Sequence, residues 1–254
     1  MRCGLLRFIA PVYKIRRMAV GSKSFPQEFP PELPIVSTRA GKSLASARPS
    51  HATQALLELA IGFGLIEATL WSKPGFYYGL YLSLSVAAIL FFTFRSEYSR
   101  AALGVVLDRT GTAPILLTGL VLVASMVGGA LVLGLPIPAN PSWPPPHAIA
   151  EYAVWALVQQ FILQAFFFVR VEALTGGKTA VWLTSLLFAG THWPNPVLTA
   201  GTLMGALLFC EAFRRYRNLI PLGVVHAALG VALAEIVPES LLHHMRVGIA
   251  YWHP

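Results

Sequence analysis

Charge is what this chain has least of. Only 12% of its 254 residues are Asp, Glu, Lys or Arg, while 56% are apolar, and mean hydropathy is +0.63. A soluble domain carries about a quarter charged residues. That class is excluded, and a chain this apolar must bury its side chains in lipid as a polytopic membrane protein. Cysteine is nearly absent too: Cys3 and Cys210 lie far apart, which rules out a disulfide framework and a CxxC metal pair. Also missing are an internal repeat, a glycine-rich phosphate loop, HExxH and GxSxG, so nucleotide and soluble-hydrolase chemistries have no anchor. No matching pair of Gly/Pro-interrupted segments occupies the two halves, which speaks against a small-solute transporter. The net charge of +8 suggests an anionic partner. Its basic residues fall between hydrophobic runs, where they set topology and meet anionic headgroups, and no nucleic acid is expected.

What is present is a series of apolar runs, at 53–72, 75–94, 112–135, 150–170, 179–193, 197–213 and 219–236. They predict an all-α, polytopic integral membrane bundle of about seven transmembrane helices. Ahead of them, 1–50 reads as a basic, Pro- and Ser-containing flexible tail, leaving 51–254 as the transmembrane domain. With the tail cytoplasmic, 17 of the 19 basic residues fall on the inner side, among them Arg95, Arg100, Arg109, Arg170, Lys178, Arg214, Arg215 and Arg217. The loop PIPANPSWPPPH at 136–147 is then external. The stretch SLLHHMRVGIAYW is too short and too polar to add an eighth span.

Polar residues inside the runs are the functional candidates, because an amide or imidazole in hydrocarbon is costly unless the protein pairs it. The run EYAVWALVQQFILQAFFFVR holds Gln159, Gln160 and Gln164. On a helix Gln160 and Gln164 share a face, and Gln159 sits about 100° away. His192 ends the fifth run and His226 lies within the seventh. Plainer readings stand beside these: glutamines as interhelical hydrogen bonds, His192 as an interfacial residue, His226 as one helix contact. Phe166, Phe167 and Phe168 are expected to face lipid and neighbouring helices, Gly201 and Gly205 to permit close packing, and Arg214, Arg215 and Arg217 to anchor topology. Glu151, Glu211 and Glu235 are further acid–base candidates, although Glu235 lies roughly opposite His226 on its helix.

The order of these residues resembles the CAAX-processing intramembrane proteases, the CPBP group that also includes bacteriocin-processing and self-immunity proteins. Their pattern is EExxxR on one span, FxxxH on the next and HxxxN on a later one. Phe188 to His192 fits the second motif, and His226 fits the start of the third. Gln159, Gln160 and Gln164 stand at the charged positions of the first, and Gly230 stands at the asparagine. The resemblance covers 148–236. It implies an intramembrane endopeptidase that cleaves a membrane-associated protein or peptide by water attack in a polar cavity. His192, His226, Gln159 and Gln160 are then the catalytic group, with Gln164, Phe188 and Gly230 at the substrate. The implied partner is a membrane-embedded or lipidated peptide or protein, and the implied setting is a bacterial inner membrane with the N-terminus cytoplasmic.

The departures bear on mechanism. An amide cannot accept a proton at physiological pH, so the base would have to be a histidine, whose ordinary pKa is about 6.5. The alternative is a pseudoprotease whose cavity binds a lipidated peptide, a membrane partner or a lipid. Replacing all three charged positions together avoids stranding a buried charge, at roughly 3–5 kcal/mol. A catalytic zinc usually has three protein ligands, and only His192 and His226 are at hand, so neither metal nor cofactor is expected.

Overall fold

The computed structural model describes residues 49–135 and 145–252, and every regular element among them is helical. Helix α1 (Pro49–Leu70) and α2 (Phe76–Arg95) form a hairpin, followed by α3 (Arg109–Val132). α4 (Pro146–Gln160) runs through a π-helical stretch, Phe161–Phe168, into α5 (Val169–Thr175). α6 (Gly177–Gly190), α7 (Pro196–Tyr216) and α8 (Leu219–Ile236) complete the bundle, and the short α9 (Glu239–Leu242) leads into two 3-10 turns. The expected tail lies outside the described residues up to 48, as does most of the 136–147 loop.

Local chemistry sets the boundaries. Asp108 caps α3 by accepting from the Thr110 backbone N–H at 2.9 Å, and Asn195 caps α7 from Leu198 at 3.0 Å with Pro196 as the first helical residue. Gly176, at φ 84°, breaks the chain between α5 and α6 in a conformation that glycine adopts without strain.

Among the described residues six helices are long and apolar enough to cross a membrane: α1, α2, α3, the continuous α4–α5 rod, α7 and α8. The protein is an integral membrane helix bundle. The fifth expected span is the exception, because α6 has only 14 residues and is about 21 Å long, short of the ~30 Å hydrocarbon core. It packs along α7, with Gly177 against the Arg214 stem, and its far end turns into Pro196.

Three packing expectations are corrected. Phe166, Phe167 and Phe168 are buried and do not face lipid. The π stretch carries them inward, where Phe166 stacks edge-on with Phe167 at 4.9 Å and Phe168 with Phe213 at 5.7 Å. Close approach falls on other glycines: side chains at Gly62, Gly119 and Gly223 would collide with Phe166, Val225 and Leu157, whereas Gly201 and Gly205 have room. Arg170 is not in a loop. The helix runs on to Thr175, and Arg170, 1% exposed, pairs with Glu58 of α1 at 2.7 Å.

Arg214, Arg215 and Arg217 also have partners. Glu211 binds Arg214 at 2.7 Å and Arg215 at 2.6 Å, and Glu172 binds Arg217. Asn218, fully buried ahead of α8, donates to the Asp108 carbonyl at 2.7 Å and to Thr112 Oγ1 at 3.1 Å, tying α3 to α8.

Candidate active site

The site is built where α4 with its π stretch, α6 and α8 meet. Gln160 ends α4 and Gln164 lies inside the π segment, a rare local geometry that is frequent at functional sites. Both are fully buried. Gln164 Nε2 donates to Gln160 Oε1 at 3.3 Å, which turns the Gln160 amide nitrogen toward His226 Nδ1, 3.1 Å away. From His226 the cluster continues through aromatic rings. Phe209 of α7 lies at 5.3 Å between centroids, Phe188 of α6 stands edge-on at 6.4 Å, and Phe188 in turn lies 4.7 Å from His192. Five of the expected residues, Gln160, Gln164, Phe188, His192 and His226, therefore belong to one continuous cluster with Phe188 at its centre.

The remaining two fall differently. Gln159 is half-buried, and its side chain makes no hydrogen bond among the described residues. Gly230 is occupied from outside: a side chain there would collide with the Tyr152 hydroxyl of α4, so the space belongs to Tyr152. Among the carboxylates of the described residues, Glu211 is held by Arg214 and Arg215, and none bonds to either imidazole. Among the described residues no three His, Cys, Asp or Glu side chains gather as a metal-binding group.

Hydrogen bonding assigns the two imidazoles different roles. His192 Nδ1 lies 2.8 Å from the Phe188 backbone carbonyl, which can only accept. Nδ1 therefore carries the proton, and in the neutral ring Nε2 keeps its lone pair. His226 differs: its Nδ1 faces the Gln160 amide nitrogen, an arrangement in which Nδ1 accepts and Nε2 carries the proton.

Sequence reasoning missed Tyr152, Phe209 and Cys210, whose thiol lies beside Gln164 and Ser185. Tyr152 reads as an interfacial aromatic and Phe209 as one more apolar residue. Only the crossing of α4, α7 and α8 selects them.

The segment that carries the glutamines, Phe188, both histidines and Gly230 matches, over 141–232, the family model described as Type II CAAX prenyl endopeptidase Rce1-like. That segment is similar to the CAAX prenyl endopeptidases. No curated protein and no solved structure matches it. The Rce1-like segment begins before α4 and ends in α8, so it holds the whole cluster. The helices ahead of it brace that segment: α1 gives Glu58 to Arg170, and α3 fits Gly119 under Val225 of α8.

Proposed function

We propose that the protein is an intramembrane endopeptidase acting on a membrane-embedded or lipidated peptide, with His192 as general base and His226 as the donor that polarises the scissile carbonyl. The observation that carries this reading is the pair of opposite tautomers. His192 Nε2, with its lone pair, takes a proton from water as the water oxygen attacks the carbonyl carbon. His226 Nε2–H donates to the carbonyl oxygen as it gains negative charge. The tetrahedral intermediate then loses its C–N bond, the proton on His192 passes to the leaving amine, and the imidazole returns to its neutral form. Gln160 and Gln164 hold His226 in the donating tautomer, and Phe188 keeps the two rings apart. We assign Gln159 a place on the wall of the same polar region, and Gly230 with the Tyr152 hydroxyl the end of it. The basic loop residues support a bacterial inner-membrane protein with a cytoplasmic N-terminus and anionic headgroups at its inner rim.

One observation favours a second reading. Among the described residues no carboxylate bonds to either imidazole to reinforce the basicity of His192, and the cluster then binds a lipidated peptide without cutting it.

The test is cleavage of a panel of membrane peptides, prenylated C-terminal sequences included, by the purified full chain in liposomes. A general base contributes about 10²–10⁴-fold, so His192→Ala and His226→Ala should each lower the rate by about a hundredfold or more. Peptide that crosslinks to the natural protein yet is never cut would establish the binding reading. Cleavage undiminished in both variants would end the assignment.

A further inference from the structure

His192 stands just outside a helix. α6 ends at Gly190, and residues 191–195 form the turn that carries the imidazole before α7 begins at Pro196. Local bonds close the turn: the His192 N–H donates to the Ala189 carbonyl at 3.0 Å, and the His192 carbonyl accepts from the Asn195 N–H at 3.1 Å. A turn this short has few bonds of its own to keep it in place. Further bonds reach it from the end of the chain.

Asn195 is fully buried and uses both ends of its amide. Oδ1 accepts from the Leu198 N–H and caps α7, while Nδ2 donates to the Leu242 carbonyl at 2.8 Å and to the Arg246 carbonyl at 3.3 Å. Next to His192, the Trp193 carbonyl accepts from the Gly248 N–H at 2.9 Å. Between the two carbonyls that Asn195 holds lie His243, His244 and Met245, at φ 50°, 52° and 54°. Left-handed backbone is unfavourable for residues with a side chain and persists only where the surroundings hold it; here the Asn195 amide grips both flanks. Gly248 lies so close to α1 that a Cβ there would collide with the Leu70 carbonyl. Residues 239–251 thus form a strap that crosses the His192 turn and is pinned to α1. The strap lies outside the 141–232 stretch that resembles the prenyl endopeptidases.

We propose, on the reading of His192 as general base, that the strap belongs to the active site: Asn195 is a positioning residue that couples it to the His192 turn and so fixes where Nε2 stands. The Phe188 carbonyl decides which ring nitrogen carries the proton, but the turn decides where the ring is. A base must lie within hydrogen-bond reach of the water it deprotonates, so a displaced turn lowers the rate without removing a reacting group.

The experiment compares the natural full chain with Asn195→Ser in liposomes. A serine still caps α7, but it lacks the amide N–H that grips the strap. The first readout is carbethoxylation by diethyl pyrocarbonate, followed residue by residue by mass spectrometry. His192, 8% exposed, should label several-fold faster in Asn195→Ser, and His226 at its natural rate. The second is peptide cleavage, where kcat should fall about tenfold or more with KM unchanged, because the base moves and the contacts that bind the peptide do not. Gly248→Ala, which pushes the strap off Leu70 and changes no residue of the turn, is the second arm should Asn195→Ser fail to fold, with the same outcomes expected. Asp108→Ala removes the cap of α3 instead; as the control for lost stability it should alter neither readout. Unchanged His192 labelling, or cleavage with kcat unchanged, in a folded variant overturns the proposal, as does an equal effect in Asp108→Ala. A natural chain that cuts no peptide refutes the general-base reading, whereas faster His192 labelling in its Asn195→Ser variant still supports the hold of the strap, so the two failures are told apart.

Discussion

Replacing Glu58 with Leu should destabilise the bundle far more than any exposed ion pair would. Arg170 is 1% exposed and Glu58 12%, so neither charge is rescued by water when its partner goes. Glu58 Oε2 takes the Arg170 Nε at 2.7 Å, Nη1 donates to the Phe166 carbonyl at 2.9 Å, and Nη2 already lacks a partner. In Glu58→Leu the guanidinium keeps one backbone bond and its place 4.2 Å over the Phe166 ring, and it loses the Glu58 counter-charge. Breaking a buried pair from one side costs about 3–5 kcal/mol, and the ring contact offsets about 1–2 kcal/mol of charge burial that is present in both proteins, so the full loss should be read. The double change Glu58→Leu with Arg170→Met replaces the pair by apolar side chains and should recover most of the stability. Reversible unfolding in mixed micelles, run as a double-mutant cycle, measures both. A single-variant loss below about 1 kcal/mol, or a double variant no better than the single, would refute the claim that Glu58 compensates a buried charge.

Two further predictions concern fit and capping. Gly230→Ala pushes a methyl into the Tyr152 hydroxyl and should cost about 1–3 kcal/mol by overpacking, with Tyr152→Phe in the same chain restoring part of it; thermal unfolding in detergent checks both. Asp108 sits outside the spans, where hydrogen bonds from the Thr110 side chain and backbone hold its carboxyl below the usual carboxylate value. Its folded value is depressed, so the capping contribution is complete above the ordinary carboxylate pKa and is lost as pH falls through the lower folded value. Unfolding midpoints followed from pH 6 downward should converge with those of Asp108→Ala only at the acid end, and a constant difference across that range would contradict the cap.

Much of the fold was legible because membrane burial is a local requirement. Each backbone segment in lipid must satisfy its own hydrogen bonds, so a run of apolar residues about twenty long declares a helix wherever it packs. That is why six of the seven expected runs match span-length helices to within a few residues, and why the glutamines and histidines stood out as costly exceptions. The seventh, α6, has the composition of a span, but Gly176 and Pro194 bound it at 14 residues.

What remained illegible depends on which helices touch. Hydropathy describes how apolar a residue is and leaves open whether its neighbour is lipid or protein, so Phe166–Phe168 read as partly lipid-facing until the π stretch carried them inward. Arg170 read as a loop charge because the carboxylate that neutralises it, Glu58, is 112 residues away on α1. Composition and periodicity thus decided the membrane class, the helices and the polar residues that lipid would not tolerate. Tertiary structure decided which of those residues meet, because a hydrogen bond or an ion pair is a relation between two atoms about 3 Å apart, and that distance exists only after the helices have packed.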